Sequence, residues 1–283
     1  MRLLYCGSGW LAVIDEIARR LGPGFEVVPW DRAVPLTTAV ADVDVVLPSN
    51  APIGADVIAA AHRLRLIQQP AAGYEGIDLV AARAREVPVC NAPGTNQVAV
   101  AEAAILLLLM LARRVPEAAR AFAAAEIGAP VGRELAGRVL GIVGAGRTGR
   151  ALRDRATALG LEVRVLDRAG SADPAARRAF FAGCELISLH CPLTDATRGL
   201  VDDDAFAAMP AGAIVVNVAR GAVIDRGALE RALAGGRLGG VGLDVFWHEP
   251  WDPTDPLYAD PRVVVLPHVA GSTQEAMAQV AAV

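Results

Sequence analysis

Three polar residues in the second half of the chain stand where apolar runs end. Arg220 follows Ile214-Val-Val-Asn-Val-Ala and precedes Gly221; Glu249 lies in Asp244-Val-Phe-Trp-His-Glu-Pro; His268 lies in Leu266-Pro-His-Val-Ala-Gly-Ser. Singly, each reads as an ordinary solvated or packing residue. Together they can perform one task. A histidine takes or gives a hydroxyl proton near neutral pH. A carboxylate beside it favours the imidazolium and fixes the tautomer. A guanidinium clamps a carboxylate through two parallel hydrogen bonds.

A second constellation precedes them. Val139-Leu-Gly-Ile-Val is strand-like and runs into Gly144-Ala-Gly146-Arg147-Thr148-Gly149, after which Arg150–Leu159 reads as a helix. Gly144 allows the tight turn off the strand, Gly146 lets backbone approach a pyrophosphate, and Gly149 lets the helix pack close to the strand. The phosphates are expected on the free N–H groups and positive dipole at the helix start. The next strand-like run, Glu162-Val-Arg-Val-Leu, ends in Asp167. An acid there accepts from a ribose diol and repels a 2′-phosphate, which favours NAD; an Arg at the next position, Arg168, can tolerate the phosphate.

These residues need strand ends to hold them. Arg2–Cys6, Phe25–Pro29, Val43–Pro48, Arg65–Gln69 and Val87–Asn91 read as strands, with helices at Trp10–Leu21, Ala55–Arg63 and Ile77–Arg85. After a long apolar helix at Gln97–Arg113 and the glycine loop, the alternation resumes. Strands are expected at Glu185–His190, Ala213–Val218, Gly240–Val245 and Val263–Leu266, and helices at Asp202–Met209 and Asp225–Ala234. This βα alternation predicts an α/β chain of two doubly wound parallel-sheet domains, with a ligand cleft at the carboxyl ends of the strands. Of the four histidines, His62 ends a polar helix, His190 ends a strand beside the cofactor segment, and His248 adjoins Glu249 as the main competitor. His268 ends its strand on the expected cleft side and is preferred as acid/base on that ground together with its match to the family motif given below. Trp247, Trp251, Tyr258 and Tyr74 are read either as pocket walls or as packing.

Composition narrows the classes. The chain is 54% hydrophobic and 20% charged, enough for large cores and unlike a disordered chain. Its net charge is −4 with basic residues scattered, so no nucleic-acid footprint is expected. The four cysteines, Cys6, Cys90, Cys184 and Cys191, show no metal-ligand spacing and suit a reduced, cytoplasmic protein. The longest apolar run, Ala103–Ala112, falls short of the roughly 20 residues of a membrane span. Val98–Ala112 is apolar around much of its circumference, so something must bury it; together with the resemblance given next, this predicts a homodimer.

Several motifs together resemble the D-isomer-specific 2-hydroxyacid dehydrogenases. They are Ala71-Ala-Gly-Tyr-Glu-Gly-Ile-Asp78, Asn91-Ala-Pro-Gly-Thr-Asn96, the glycine loop with Asp167, His190-Cys-Pro-Leu-Thr194, Asn217-Val-Ala-Arg-Gly221, Gly242-Leu-Asp-Val-Phe246, Glu249-Pro250 and Pro267-His268. The resemblance implies a flavodoxin-like substrate domain (1–96 and 271–283) and a Rossmann NAD-binding domain (97–270). It implies NAD as cofactor and a small 2-hydroxy or 2-oxo acid as substrate. Arg220 would bind the substrate carboxylate and carbonyl, Glu249 would partner the histidine, and His268 would be the acid/base. Asp244 would hold the nicotinamide carboxamide, and backbone N–H groups at Ala72 and Gly73 the substrate carboxylate. The expected cofactor contacts are Gly144, Gly146, Arg147, Thr148, Gly149, Asp167, Arg168, His190, Cys191, Pro192, Val218, Ala219, Asp244 and His268. A non-catalytic NAD-sensing scaffold, as in corepressor relatives, shares the fold and triad and is the alternative; a methyltransferase would leave the triad unexplained. Asp167–Glu185 is shorter than the family usually has, so one short strand or helix is expected to be missing and the adenosine edge open. The helix that reaches Val283 without a stop signal continues in relatives and returns to the substrate domain.

Overall fold

Runs such as Val45-Val-Leu47 and Ala213-Ile-Val-Val-Asn217 are apolar or buried at every position, the pattern of a strand covered on both faces. The computed structural model describes all 283 residues and pairs such runs in parallel, in two units: 1–96 with 272–283, and 97–271.

The first unit comprises β1 (Arg2–Tyr5), α1 (Ala12–Arg20), β2 (Glu26–Pro29), α2 (Leu36–Ala39), β3 (Val45–Leu47), α3 (Ala55–Ala60), β4 (Leu66–Gln69), α4 (Leu79–Ala84) and β5 (Val89–Asn91). The second comprises α5 (Gln97–Ala112), α6 (Val115–Ala123), β6 (Val139–Val143), α7 (Arg147–Ala158), β7 (Glu162–Leu166), α8 (Arg168–Ala172), α9 (Pro174–Ala182), β8 (Leu186–Leu189), α10 (Asp203–Ala208), β9 (Ala213–Asn217), α11 (Arg226–Ala234), β10 (Leu238–Leu243), α12 (Pro256–Ala259) and β11 (Val263–Val265). The last helix, α13 (Gln274–Val280), returns to the first unit, where Met277 and Val280 pack against the cluster that holds Val13 and Ile17.

The first sheet has the order β2-β1-β3-β4-β5, the flavodoxin-like arrangement. The second has the order β11-β10-β9-β8-β6-β7. A full doubly wound sheet would carry one more strand outside β7. Here the stretch after Asp167 forms α8 and α9 instead, and β7 is the sheet edge. The shortened segment therefore lacks a strand, not a helix.

Alternation along each strand divides the second core in two. Leu140, Ile142, Ile214 and Val216 face α5 and α7, meeting Leu107, Leu108 and Leu152; Val143, Ile187, Val215 and Leu243 meet Phe181, Phe206 and Leu229 on the other side. Because α5 meets β9 and β10 closely, Gly242 leaves room for the Leu107 side chain: a Cβ there would lie 3.0 Å from that of Leu107. Leu107→Ala should cost the second unit about 2–5 kcal/mol in urea unfolding, the range for a fully buried leucine whose site cannot collapse; a loss under about 1 kcal/mol would show that α5 repacks freely.

Candidate active site

The glycine loop has the geometry its residue types demand. Gly144 has φ +111°, and a Cβ on it would press on the backbone of His190 and Cys191 at 2.8–2.9 Å. A Cβ on Gly149 would collide with the Gly144 carbonyl, so α7 packs onto the β6 turn only through glycine. Around Gly146 the space a Cβ would enter is open. Asp side chains cap α8 to α12 in turn: Asp167, Asp173, Asp202, Asp225 and Asp255. The start of α7 has Gly146 at its N-cap and no side-chain cap, which leaves helix N–H groups for an anion. Open space at Gly146 together with an uncapped helix start fits a dinucleotide pyrophosphate, with Arg147 and Thr148 in the first turn. Asp167 follows β7 directly and is exposed; its Oδ1 accepts from Gly170 N–H at 2.9 Å, and Arg168 follows as the first residue of α8.

Arg220, Glu249, His268 and Asp244 come together at the ends of β9, β10 and β11. His268 Nδ1 lies 2.6 Å from Glu249 Oε2, and Glu249 Oε1 accepts from Phe246 N–H at 3.0 Å. Burial pushes the Glu249 carboxyl up. The His268 hydrogen bond and charge, the Phe246 N–H and the charge of Arg220 outweigh it, so its pKa lies below the usual value. Arg220 leaves β9 in extended conformation and its Nη1 donates to Ala219 O at 2.7 Å. The next residue must be glycine: a Cβ on Gly221 would collide with the backbone of Phe246 and Trp247, and this approach brings the Arg220 loop onto the Glu249 loop.

Asp244 is buried at the end of β10. Its Oδ1 accepts from Val269 N–H at 2.8 Å and its Oδ2 from Ala270 N–H at 3.0 Å. These bonds fix the chain after His268, whose own φ is +55°, the left-handed region that side-chain-bearing residues rarely enter. Burial pushes the Asp244 carboxyl up to about 6; the two N–H groups and His268 oppose the rise, and Glu249 adds to it. Resemblance pointed Asp244 at the nicotinamide carboxamide; in the structure both its oxygens accept from the backbone beside His268.

The other candidates fall as follows. His190 is buried and neutral, its pKa lowered to about 4 by burial, with Nε2 2.9 Å from Ser188 Oγ. Cys191, Val218 and Ala219 are buried and Pro192 is exposed. His62 and His248 are exposed. Trp251, tilted, and Tyr258, edge-on, pack against Phe246 at 4.4 and 5.4 Å between ring centres, and Trp247 Nε1 donates to Ile224 O, so these aromatics are packing. Ala72 and Gly73 lie in the first unit, in the turn after β4. No cluster of three or more His, Cys, Asp or Glu side chains can hold a metal ion, and no helix is long and apolar enough to cross a membrane.

Residues 105–270 match the family described as D-isomer specific 2-hydroxyacid dehydrogenase, NAD binding domain. The chain is 37% identical over 246 residues to the D-3-phosphoglycerate dehydrogenase of Archaeoglobus fulgidus, covering 83% of this chain and 47% of that protein. It is 36% identical over 244 residues to the glyoxylate reductase of Korarchaeum cryptofilum, covering 81% and 74%. The chain thus spans about half the length of the phosphoglycerate dehydrogenases it matches. Among solved structures, the TT0316 protein of Thermus thermophilus superposes with a TM-score of 0.87 at 35% identity, covering 99% of this chain and 94% of that one.

The Asp244 environment gives a pH signature. Its folded pKa of about 6 lies above the ordinary 3.8, so its contribution to stability is full below 3.8 and lost as pH rises through about 6. Asp244→Asn keeps an acceptor for the two N–H groups but cannot ionise. Unfolding free energies of parent and variant should therefore shift in the parent's favour as pH falls from about 8 to about 5. A difference that stays flat across that window would contradict the assignment.

Proposed function

Because this chain belongs to the D-isomer specific 2-hydroxyacid dehydrogenase family, we propose that it is an NAD-dependent oxidoreductase that interconverts a small 2-hydroxy acid and its 2-oxo acid. Its second unit is an NAD-binding domain. The observation that carries the reading is the His268–Glu249 pair at 2.6 Å, with the charge of Arg220 acting on the same carboxylate, at the strand ends of that domain.

In this reading the start of α7, with Gly144, Gly146, Arg147, Thr148 and Gly149, takes the pyrophosphate, and Asp167 takes the ribose hydroxyls. Bound NADH supplies a hydride to C2 of the 2-oxo acid. Arg220 holds the substrate's carboxylate and carbonyl, and the N–H groups of Ala72 and Gly73 take the carboxylate. Glu249 occupies Nδ1 of His268, so Nε2 is the nitrogen that hands a proton to the new alkoxide oxygen. The ionised Glu249 favours the imidazolium that must form in the reverse direction. Positioning and charge stabilisation supply most of the rate enhancement.

The working form in this reading is a homodimer. Val98, Leu106 and Leu109 are exposed on α5, and Phe122, Ile127 and Val131, in and just after α6, are almost fully exposed at 88%, 101% and 83%. Apolar surface of that extent needs cover.

With NADH, the protein should reduce one or more of glyoxylate, hydroxypyruvate, pyruvate, phenylpyruvate and bulkier 2-oxo acids. His268→Ala should abolish turnover while NADH still binds. Glu249→Gln should be milder, its reductase activity falling off at a lower pH than the parent's, and Arg220→Lys should raise KM strongly. Loss of activity in His248→Ala but not His268→Ala would move the acid/base to the Trp247–Glu249 loop. NADH binding with no reduction of any acid would favour an NAD-sensing scaffold. In sedimentation, the protein should run at twice the chain mass at micromolar concentration; a monomer there contradicts the dimer.

A further inference from the structure

Gln69 and Asn91 end neighbouring parallel strands and are register partners across β4 and β5. Both side chains reach the same turn. Gln69 Nε2 donates to Gly73 O at 2.6 Å, and Asn91 Nδ2 donates to Ala72 O at 2.7 Å. The Ala92 backbone N–H donates to Ala71 O at 3.0 Å. Three successive carbonyls, at residues 71, 72 and 73, are thus held by donors from the ends of β4 and β5.

The peptide bonds here are trans, and in a trans peptide the N–H points opposite to its carbonyl. Anchoring those carbonyls on the sheet side turns the N–H groups of Ala72, Gly73 and Tyr74 the other way. None of the three donates to an acceptor within the chain. The turn is exposed at Ala72 and Tyr74 and half-buried at Ala71 and Gly73. Successive outward N–H groups form a concavity for an anion.

Gln69 shows what this arrangement costs. It is 5% exposed, and its Nε2 bridges Gly73 O and Ser49 O, the latter at 2.9 Å. Two carbonyl acceptors on one side leave the amide only one possible orientation. Its Oε1 is then buried with no hydrogen-bond partner. A buried, unsatisfied oxygen is destabilising, so Gln69 is poorly explained as a residue that merely stabilises the fold.

We propose that Gln69 and Asn91 are positioning residues that lock the Ala71–Tyr74 turn so that the N–H groups of Ala72, Gly73 and Tyr74 converge on the substrate's carboxylate. The inference rests on the reading that Ala72 and Gly73 take that carboxylate, and adds the residues that aim them. Neither side chain touches the reacting atoms.

The test compares the parent with Gln69→Met, which keeps the volume but removes both donors, and with Asn91→Ala, which acts on the other carbonyl should the first variant misfold. KM for the 2-oxo acid that the parent reduces fastest should rise about tenfold or more, and oxamate inhibition should weaken by the same factor. kcat and NADH affinity should change little. The melting temperature of Gln69→Met should change little, because the unsatisfied oxygen is lost together with the donor to Gly73 O and Ser49 O. A purely structural role predicts a lower melting temperature with KM and oxamate affinity unmoved. Unchanged KM and oxamate affinity in both variants overturns the inference while leaving the dehydrogenase reading intact. A parent that neither reduces a 2-oxo acid nor binds oxamate overturns both.

Discussion

A buried carboxylate organises the second unit's strand ends. Asp244 sits where β10 stops, and its two oxygens take the N–H groups that follow His268 on a different strand. A left-handed histidine costs roughly 1–3 kcal/mol. Each hydrogen bond to a charged acceptor contributes about 1.5–3 kcal/mol, which opposes that strain, while burial of the carboxylate works against the bonds. In that conformation His268 Nδ1 lies 2.6 Å from Glu249 Oε2. The Asp244 carboxylate carries a raised pKa, so the anchor and its burial cost are inseparable.

Close backbone approach does the rest. Parallel strands cannot be joined by hairpins, and their carboxyl ends share one edge of the sheet. Chemistry from different strands meets there only if the loops can come near each other. Gly221 lets the Arg220 loop lie on Phe246 and Trp247, and Gly149 lets α7 start directly on the Gly144 turn. The first unit reaches a similar end by other means: amide side chains at the ends of β4 and β5 fasten the carbonyls of a turn.

Much of this was legible in residue types. The eleven strands stand out as short, mostly apolar runs, and the glycine loop, Asp167, Arg220, Glu249 and His268 are readable from spacing and chemistry. Helices α2, α8 and α12, of four or five residues, are too short to show a period. Helix α9 did carry a signal, Asp173 followed by Pro174, a cap and a first-turn proline. The backbone anchoring by Asp244 was hidden because it depends on N–H groups 25 and 26 residues away in the chain. Gln69 and Asn91 were hidden for a related reason: amides at strand ends are common, and only the register of β4 on β5 shows that both grip one turn. Trp251 and Tyr258 have the right types for a pocket wall, yet they pack on Phe246.

The lost strand beside β7 has a consequence for solubility. In a full sheet β7 would be interior; here it offers an unpaired row of N–H and C=O groups, the template on which chains stack edge to edge. The strand's outer residues answer that hazard. Glu162 and Arg164 sit on this edge, both exposed and paired with each other at 2.9 Å. Charged side chains there discourage a second strand from docking, and only Val165, 42% exposed, gives such a strand an apolar foothold. A chain that shortens a sheet in this way exchanges a strand's worth of buried surface for a gatekeeping duty that two charged residues now carry.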